Sequence, residues 1–191
     1  MYKFVLASQS PRRKELLASL DIGFICQVST VEEVTLQTNP KEIARELAVM
    51  KAEDVAGDYG NGTVIIGADT IVVSGMDILG KPKDREDALR MLRQLQGDRH
   101  AVFTGVCLII KENDKEKVIS FVEKTDVSMY EMTDEDINRY IDTEEPYDKA
   151  GGYAIQGKAA KFIQKIDGEY ANVVGLPIAR LYHTLKAHKI I

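Results

Sequence analysis

Between Thr63 and Val73 the chain reads Thr-Val-Ile-Ile-Gly-Ala-Asp-Thr-Ile-Val-Val, apolar at both odd and even positions, with one carboxylate, Asp69, set inside it. A half-buried strand alternates apolar and polar residues; a run that does not alternate needs cover on both faces, as the central strands of α/β sheets have. That single stretch therefore predicts a sheet buried on its two sides. It also poses a chemical problem, because an ionised carboxylate in apolar surroundings is costly unless it meets a cation, hydrogen bonds or an open strand end.

The remaining periodicities fit such a sheet. Lys3 to Ala7 reads as a buried strand, Ser10 as a helix cap with Pro11 in the first turn, and the helix as running to about Leu20 with Leu16, Leu17 and Leu20 inward. Phe24 to Val28 reads as a second strand, and Asn39-Pro40 as the start of a helix reaching about Ala56 with Ile43, Leu47 and Met50 on one side. A helix is expected from Arg85 to Gln96, stopped by Gly97, and a hairpin from Ala101–Lys111 and Val118–Met129 turning at residues 112–115. Thr133 caps another helix; Lys161–Ile166 and Ala171–Val174 read as short strands, and 177–186 as a last helix. Alternating strands and helices followed by hairpins predict a mixed α/β sheet in a single domain, 1–191.

Charge and cysteine usage narrow the function. The 191 residues carry a net charge of −5, so the overall field repels polyanions and argues against nucleic-acid binding without a strong local basic patch. Cys26 and Cys107 have neither disulfide-framework nor zinc spacing and sit in apolar runs, where free thiols behave as small buried hydrophobes. The apolar run near the N-terminus is too short for a signal sequence and no window has the length of a spanning helix, so the expectation is a cytoplasmic protein with no membrane partner.

Against that acidic background the first fourteen residues hold four basic groups and no acid, with Arg12, Arg13 and Lys14 in the first helical turn. A helix N-terminus favours acids there, so the arrangement makes sense if an anion is held by Ser8, Ser10, Arg12, Arg13 and the free N–H groups; the plainer reading is a solvated basic face. No Gly-x-x-x-x-Gly-Lys-Ser/Thr pattern is present. Asp69, if not simply a turn cap, calls for a cation. Glu32 and Glu33 follow a predicted strand and are placed to bring a second carboxylate, which suits Mg²⁺ or Mn²⁺ completed by phosphate oxygens and water. Lys81 and Lys83 bracket Pro82 and are either surface lysines or a pair of ammonium groups facing a polyphosphate. In the loop from Asp148 to Gly157, three glycines allow close backbone approach, and Gln156 offers both a donor and an acceptor to a base edge; a structural turn is the alternative. His100, His183 and His188 show no ligand spacing.

Taken together, Leu6-Ala7-Ser8-Gln9-Ser10-Pro11-Arg12-Arg13, Gly67-Ala68-Asp69-Thr70, Gly80-Lys81-Pro82, Asp148-Lys149-Ala150-Gly151, Ile155-Gln156-Gly157 and Val174-Gly175-Leu176-Pro177 resemble the ordered signature blocks of the Maf family, the septum-formation inhibitors. The resemblance implies a Maf/inosine-triphosphatase-like fold, a mixed, bent central sheet with flanking helices and two lobes around a cleft, a homodimer in many members, and metal-dependent nucleotide pyrophosphatase activity. It places Asp69 on the family's proton acceptor and Arg12, Thr70 and Gln156 on positions tied to substrate choice, in the pattern of the subgroup acting on dTTP and UTP. The expected scheme has Glu33 and Asp69 holding the metal, Asp69 serving as base, ligand or both, and Ser8, Ser10, Arg12, Arg13, Thr70, Lys81, Lys83 and Gln156 binding the nucleoside triphosphate. Two rivals stand beside it: a non-catalytic nucleotide-binding regulator of division, and a house-cleaning enzyme for modified pyrimidine nucleotides.

Overall fold

The structure is a computed structural model and describes residues 2–191. The elements run β1 (Lys3–Ala7), α1 (Pro11–Ala18), β2 (Phe24–Cys26), α2 (Pro40–Ala56), β3 (Thr63–Ser74), β4 (Asp77–Leu79), α3 (Arg85–Leu95), β5 (Arg99–Glu112), β6 (Lys115–Met129), α4 (Asp134–Ile141), three short 3-10 turns, β7 (Ile163–Asp167), α5 (Tyr170–Val174) and α6 (Ile178–Ala187). Among the described residues the strands form one sheet in the order β2-β1-β3-β5-β6-β7, with β4 paired to β3. β1 is parallel to β2 and β3, whereas β4 and β7 run antiparallel to their neighbours, so the sheet is mixed as its patterning predicts.

The chain divides into two compact units: Met1–Asp69, Thr104–Glu123 and Gly175–Ile191 form the first, and Thr70–Phe103 with Lys124–Val174 the second. In the first unit, strand parity sorts the core into two clusters. Phe4, Leu6, Val64, Ile66, Ala68, Val106, Leu108 and Ile110 pack with Leu17 of α1 and Leu181 and Leu185 of α6. Val5, Ala7, Ile65, Cys107 and Ile109 pack instead with Ala48, Ala52, Val55 and Ala56 of α2. Both sides of β3 are covered, which is what its unbroken apolar run requires.

Helix α2 lies unusually close to the strands. Its sheet-facing stripe is Ala44, Ala48, Ala52 and Ala56, one small residue per turn, all at most 4% exposed. Opposite it stand Gly67 and Gly105. A Cβ on Gly67 would overlap the Ala48 carbonyl oxygen and come within 2.8 Å of the Ala52 Cβ; one on Gly105 would overlap the Ala44 carbonyl and lie 2.8 Å from Arg45 N. Glycine and alanine are thus matched so that helix backbone meets strand backbone.

In the second unit, α3 is capped by the Asp84 carboxylate, which accepts from Asp87 N–H, and buries Ala88, Met91, Leu92 and Leu95 before Gly97 turns away at φ 67°. Thr133 and Asp136 form a reciprocal capping box at the start of α4, whose Ile137, Tyr140 and Ile141 are buried. The hairpin joining β5 to β6 turns on Asn113 and Asp114, both at positive φ (52° and 57°), the conformation a two-residue hairpin of native twist needs.

Two expectations fail, and one strand is added. Residues 171–174 are helical, within α5, rather than a strand: Gly168 at φ 132° redirects the chain, and the buried Asn172 side-chain amide donates to Val102 O (3.1 Å) and Thr125 Oγ1 (3.0 Å), drawing the turn inward. A four-residue run cannot show a helical period, which is why it reads as extended. β2 is only three residues long and lies at the sheet edge, so Cys26 is exposed, while Cys107, on β5, is buried with its thiol pushed up to about 12 by burial. β4 is an additional short strand, formed where Gly75 at φ 60° folds Asp77–Leu79 back on β3. No described helix is long and apolar enough to cross a membrane.

Candidate active site

Where β1 ends, the backbone turns sharply into α1 and two serines hold the turn. Ser8 Oγ accepts from Ser10 N–H at 3.1 Å, and Ser10 Oγ accepts from Arg13 N–H at 3.5 Å as the helix cap. Each serine oxygen is therefore engaged as an acceptor, which leaves its O–H proton available to an anion. Arg13 folds back across this turn: Nη1 donates to Ser8 Oγ at 3.5 Å, and Nε donates to Gly175 O at 2.8 Å, from the loop before α6. Arg12 is half-buried beside it. Burial lowers the pKa of the Arg13 guanidinium and Arg12 adds to that, while the Asp69 and Glu33 carboxylates pull the other way, so the basic turn and the two acids are within electrostatic reach.

Asp69 points to the α2 side of β3, in phase with Ile65 and Gly67, and is 7% exposed. The cation its burial demands comes from the chain itself. Lys51 Nζ lies 2.6 Å from Asp69 Oδ1 and 2.9 Å from Glu33 Oε1, one ammonium shared by two carboxylates. Glu33 belongs to the irregular segment between β2 and α2, and that segment is stapled to the helix: the Asp54 carboxylate accepts from Ser29 Oγ and Thr30 N–H, each at 2.8 Å. Those bonds hold Asp54 below the usual carboxylate range. Thr35 Oγ1 likewise donates to Glu46 on α2.

Ser8, Ser10, Arg12, Arg13, Glu33 and Asp69 all belong to the first unit. Lys51 joins them without having been foreseen. Its signal was nonetheless in the sequence: on α2 it follows Ala48 by three residues and Leu47 by four, so the helical period puts a lysine on the apolar stripe, where a charge needs a partner.

Thr70, Lys81, Lys83 and Gln156 are carried by the second unit. Thr70 follows Asp69 on β3 and is half-buried. Lys81 and Lys83 are exposed on either side of a buried Pro82. That loop is fixed from above by the glycine-rich segment: Gly151 N–H donates to Gly80 O at 2.9 Å, and Gly151 and Gly152 take φ near 70° and 69°. A Cβ on Gly152 would come 3.1 Å from Pro82 Cγ. Gln156 is exposed on a tight turn closed by Gly157 N–H donating to Ala154 O at 3.0 Å. His100, incidental in the sequence, is 3% exposed and bonds Tyr153 Oη through Nε2 at 2.8 Å; burial lowers its pKa to about 4.

A mixed α/β protein whose central strand carries a buried carboxylate, paired through an ammonium to a second acid and set near a basic helix start, is equipped to hold phosphate and a cation together. The chain belongs to the Maf family: residues 3–188 match its model, described as Maf-like protein. It is 49% identical over 187 residues to a protein of Lachnoclostridium phytofermentans named dTTP/UTP pyrophosphatase, covering 97% of this chain and 95% of that one. A Bacillus cytotoxicus protein of the same name is 50% identical over 187 residues, at 97% and 95% coverage. A third, from Bacillus cereus strain ATCC 14579, is 47% identical over 191 residues, covering 100% of this chain and 97% of the relative.

Proposed function

We propose that this protein hydrolyses nucleoside triphosphates to the monophosphate and pyrophosphate, with dTTP and UTP as its substrates. The names of its near-full-length relatives support the substrate class, and the observation that carries the chemistry is the buried Asp69 sharing one ammonium with Glu33. In this reading Asp69 Oδ2, the oxygen not bonded to Lys51, accepts a proton from the water that attacks the α-phosphorus. The α-phosphorus to bridging-oxygen bond breaks, and the pair of electrons leaves with pyrophosphate. Arg12 and Arg13 neutralise charge that grows on the departing oxygens, the principal contribution open to a protein in phosphoryl transfer. Ser8 and Ser10 donate their O–H groups to phosphate. Lys81 and Lys83 are the proposed phosphate contacts of the second unit, Gln156 its contact to the pyrimidine edge, and Thr70 a determinant of substrate choice.

Two carboxylates converging on a single positive charge also fit a divalent ion. Among the described residues no group of three or more His, Cys, Asp or Glu side chains could hold a metal; Mg²⁺ and Mn²⁺ bind in half-open sites through one or two carboxylates, completed by substrate and water. Held by Glu33 and Asp69, the ion would supply positive charge to the phosphate oxygens.

The decisive assay is pyrophosphate release across dTTP, UTP, GTP and modified pyrimidine triphosphates, with and without chelator. Release from dTTP and UTP that stops on chelation and returns with Mg²⁺ or Mn²⁺ is expected. Tight nucleotide binding with no release would favour a regulator instead, and faster turnover of pseudo-UTP or 5-methyl-UTP would favour nucleotide house-cleaning. Asp69→Asn is expected to cut turnover at least about 100-fold while leaving the folded structure intact by circular dichroism; turnover at the parental rate would remove Asp69 from its role. Gln156→Ala should lower the dTTP:GTP ratio of kcat/KM by about tenfold, since a site built to hydrogen-bond one base discriminates through its own unpaired groups.

A further inference from the structure

The turn that presents Gln156 is gripped at both ends by a pair of bonded side chains from one short stretch of chain. Tyr140, on the buried face of α4 and 3% exposed, accepts the Ala154 N–H at 3.1 Å. Its own hydroxyl donates to Glu145 Oε1 at 2.8 Å. The Glu145 carboxylate in turn accepts the Lys158 N–H, both oxygens lying 3.1 Å away. The two amides are the residues two before and two after Gln156. Gly157 is part of the same fit, because any Cβ there would overlap the Glu145 carboxylate. Glu145 is anchored from behind as well, its carbonyl accepting from Lys149 Nζ at 2.8 Å.

This exceeds what a turn needs. The Ala154 to Gly157 bond already closes it; the N–H of buried Ala154 requires a partner, but that of exposed Lys158 could be left to water. Here a phenol and a carboxylate, both in fixed positions, hold them instead. A hydrogen-bond donor that must discriminate one base edge from another gains only if its backbone is stationary, since a shift of about 1 Å is enough to spoil such a contact.

We propose that Tyr140 and Glu145 are positioning residues for base selection, a clamp that fixes the Gln156 turn and thereby sets how strictly the protein prefers pyrimidine triphosphates. The inference rests on Gln156 reading the base. It assigns no contact with substrate to either residue.

Steady-state kinetics on dTTP and GTP for Gln156→Ala, Tyr140→Phe, Glu145→Gln and the Tyr140→Phe/Gln156→Ala double variant test it. Tyr140→Phe and Glu145→Gln should each lower the dTTP:GTP ratio of kcat/KM by about fivefold, chiefly by raising KM for dTTP, and Tyr140→Phe should cause no further loss once Gln156 is alanine. Hydrogen exchange should show the Ala154 amide losing protection in Tyr140→Phe. If Gln156→Ala lowers the ratio while Tyr140→Phe and Glu145→Gln keep the parental value, the clamp is wrong and the base reading survives. An equal loss from Tyr140→Phe in both backgrounds would also overturn it, because the tyrosine would then act independently of Gln156. If Gln156→Ala itself keeps the parental ratio, the base reading fails and the clamp's role in selection falls with it.

Discussion

Lys51 answers two carboxylates with one ammonium, and its side chain is only 14% exposed. Replacing it with methionine would leave Asp69 buried without its cation. Such a loss from a buried pair costs roughly 3 kcal/mol, so Lys51→Met should shift urea unfolding by about that much, and adding Asp69→Asn should restore part of it. A Lys51→Met variant as stable as the parent would mean the pair contributes nothing. His100 makes a second prediction. Burial holds its folded pKa at about 4 against an ordinary 6.5, so the unfolded chain takes up the proton first as pH falls. Stability should therefore drop by roughly 3 kcal/mol between about pH 6.5 and pH 4 and level off below, on top of the carboxylate effects. His100→Phe should flatten that part of the profile in pH-dependent urea melts. Asp69 was conspicuous from sequence because a charge interrupts an apolar run. Lys51 shows only as a lysine on the apolar stripe of α2, with no local spacing to name its partners, while a core tyrosine such as Tyr140 looks like any other and Glu145 ends an acidic Glu144-Glu145 pair that reads as solvated.

Elements with caps and clear periods were the legible ones. Helix α2 begins at Asn39-Pro40 and ends at Ala56 as its signals dictate, and the whole of β3 is visible in its apolar run. What periodicity could not give was the depth at which α2 sits. Ile43 and Leu47 are indeed buried, but the closest approach is made by alanines over glycines, a match between two separate elements. That match predicts a large penalty for one methyl group. Gly105→Ala places a Cβ against the helix backbone, which cannot yield as a flexible side chain would, and should destabilise by at least about 2 kcal/mol in thermal or urea unfolding. Gly60→Ala, with nothing within 4 Å of the added carbon, should stay within about 0.5 kcal/mol of the parent. The strand assigned to residues 171–174 failed for the opposite reason, since a segment that short is decided by Asn172 and its distant partners rather than by its own pattern.

For the whole molecule, net charge and local charge point in opposite directions. A chain of −5 that concentrates Arg12, Arg13 and Lys14 in one helical turn should take up a small phosphate compound there without attracting long polyanions. A fluorescently labelled single-stranded oligonucleotide at about 0.15 M salt should accordingly show no saturable binding; a clear isotherm would contradict this. The first unit is assembled from three separated stretches of chain, and Arg13 Nε reaches Gly175 O across 162 residues. During translation, then, the basic turn leaves the ribosome well before the Gly175 carbonyl that holds it, and Leu181 and Leu185 of α6 follow later still to close the core. Until α6 has emerged, the apolar strands β1 and β3 lack one of their two covers, so the folding of this unit waits on a helix that comes more than a hundred residues after them.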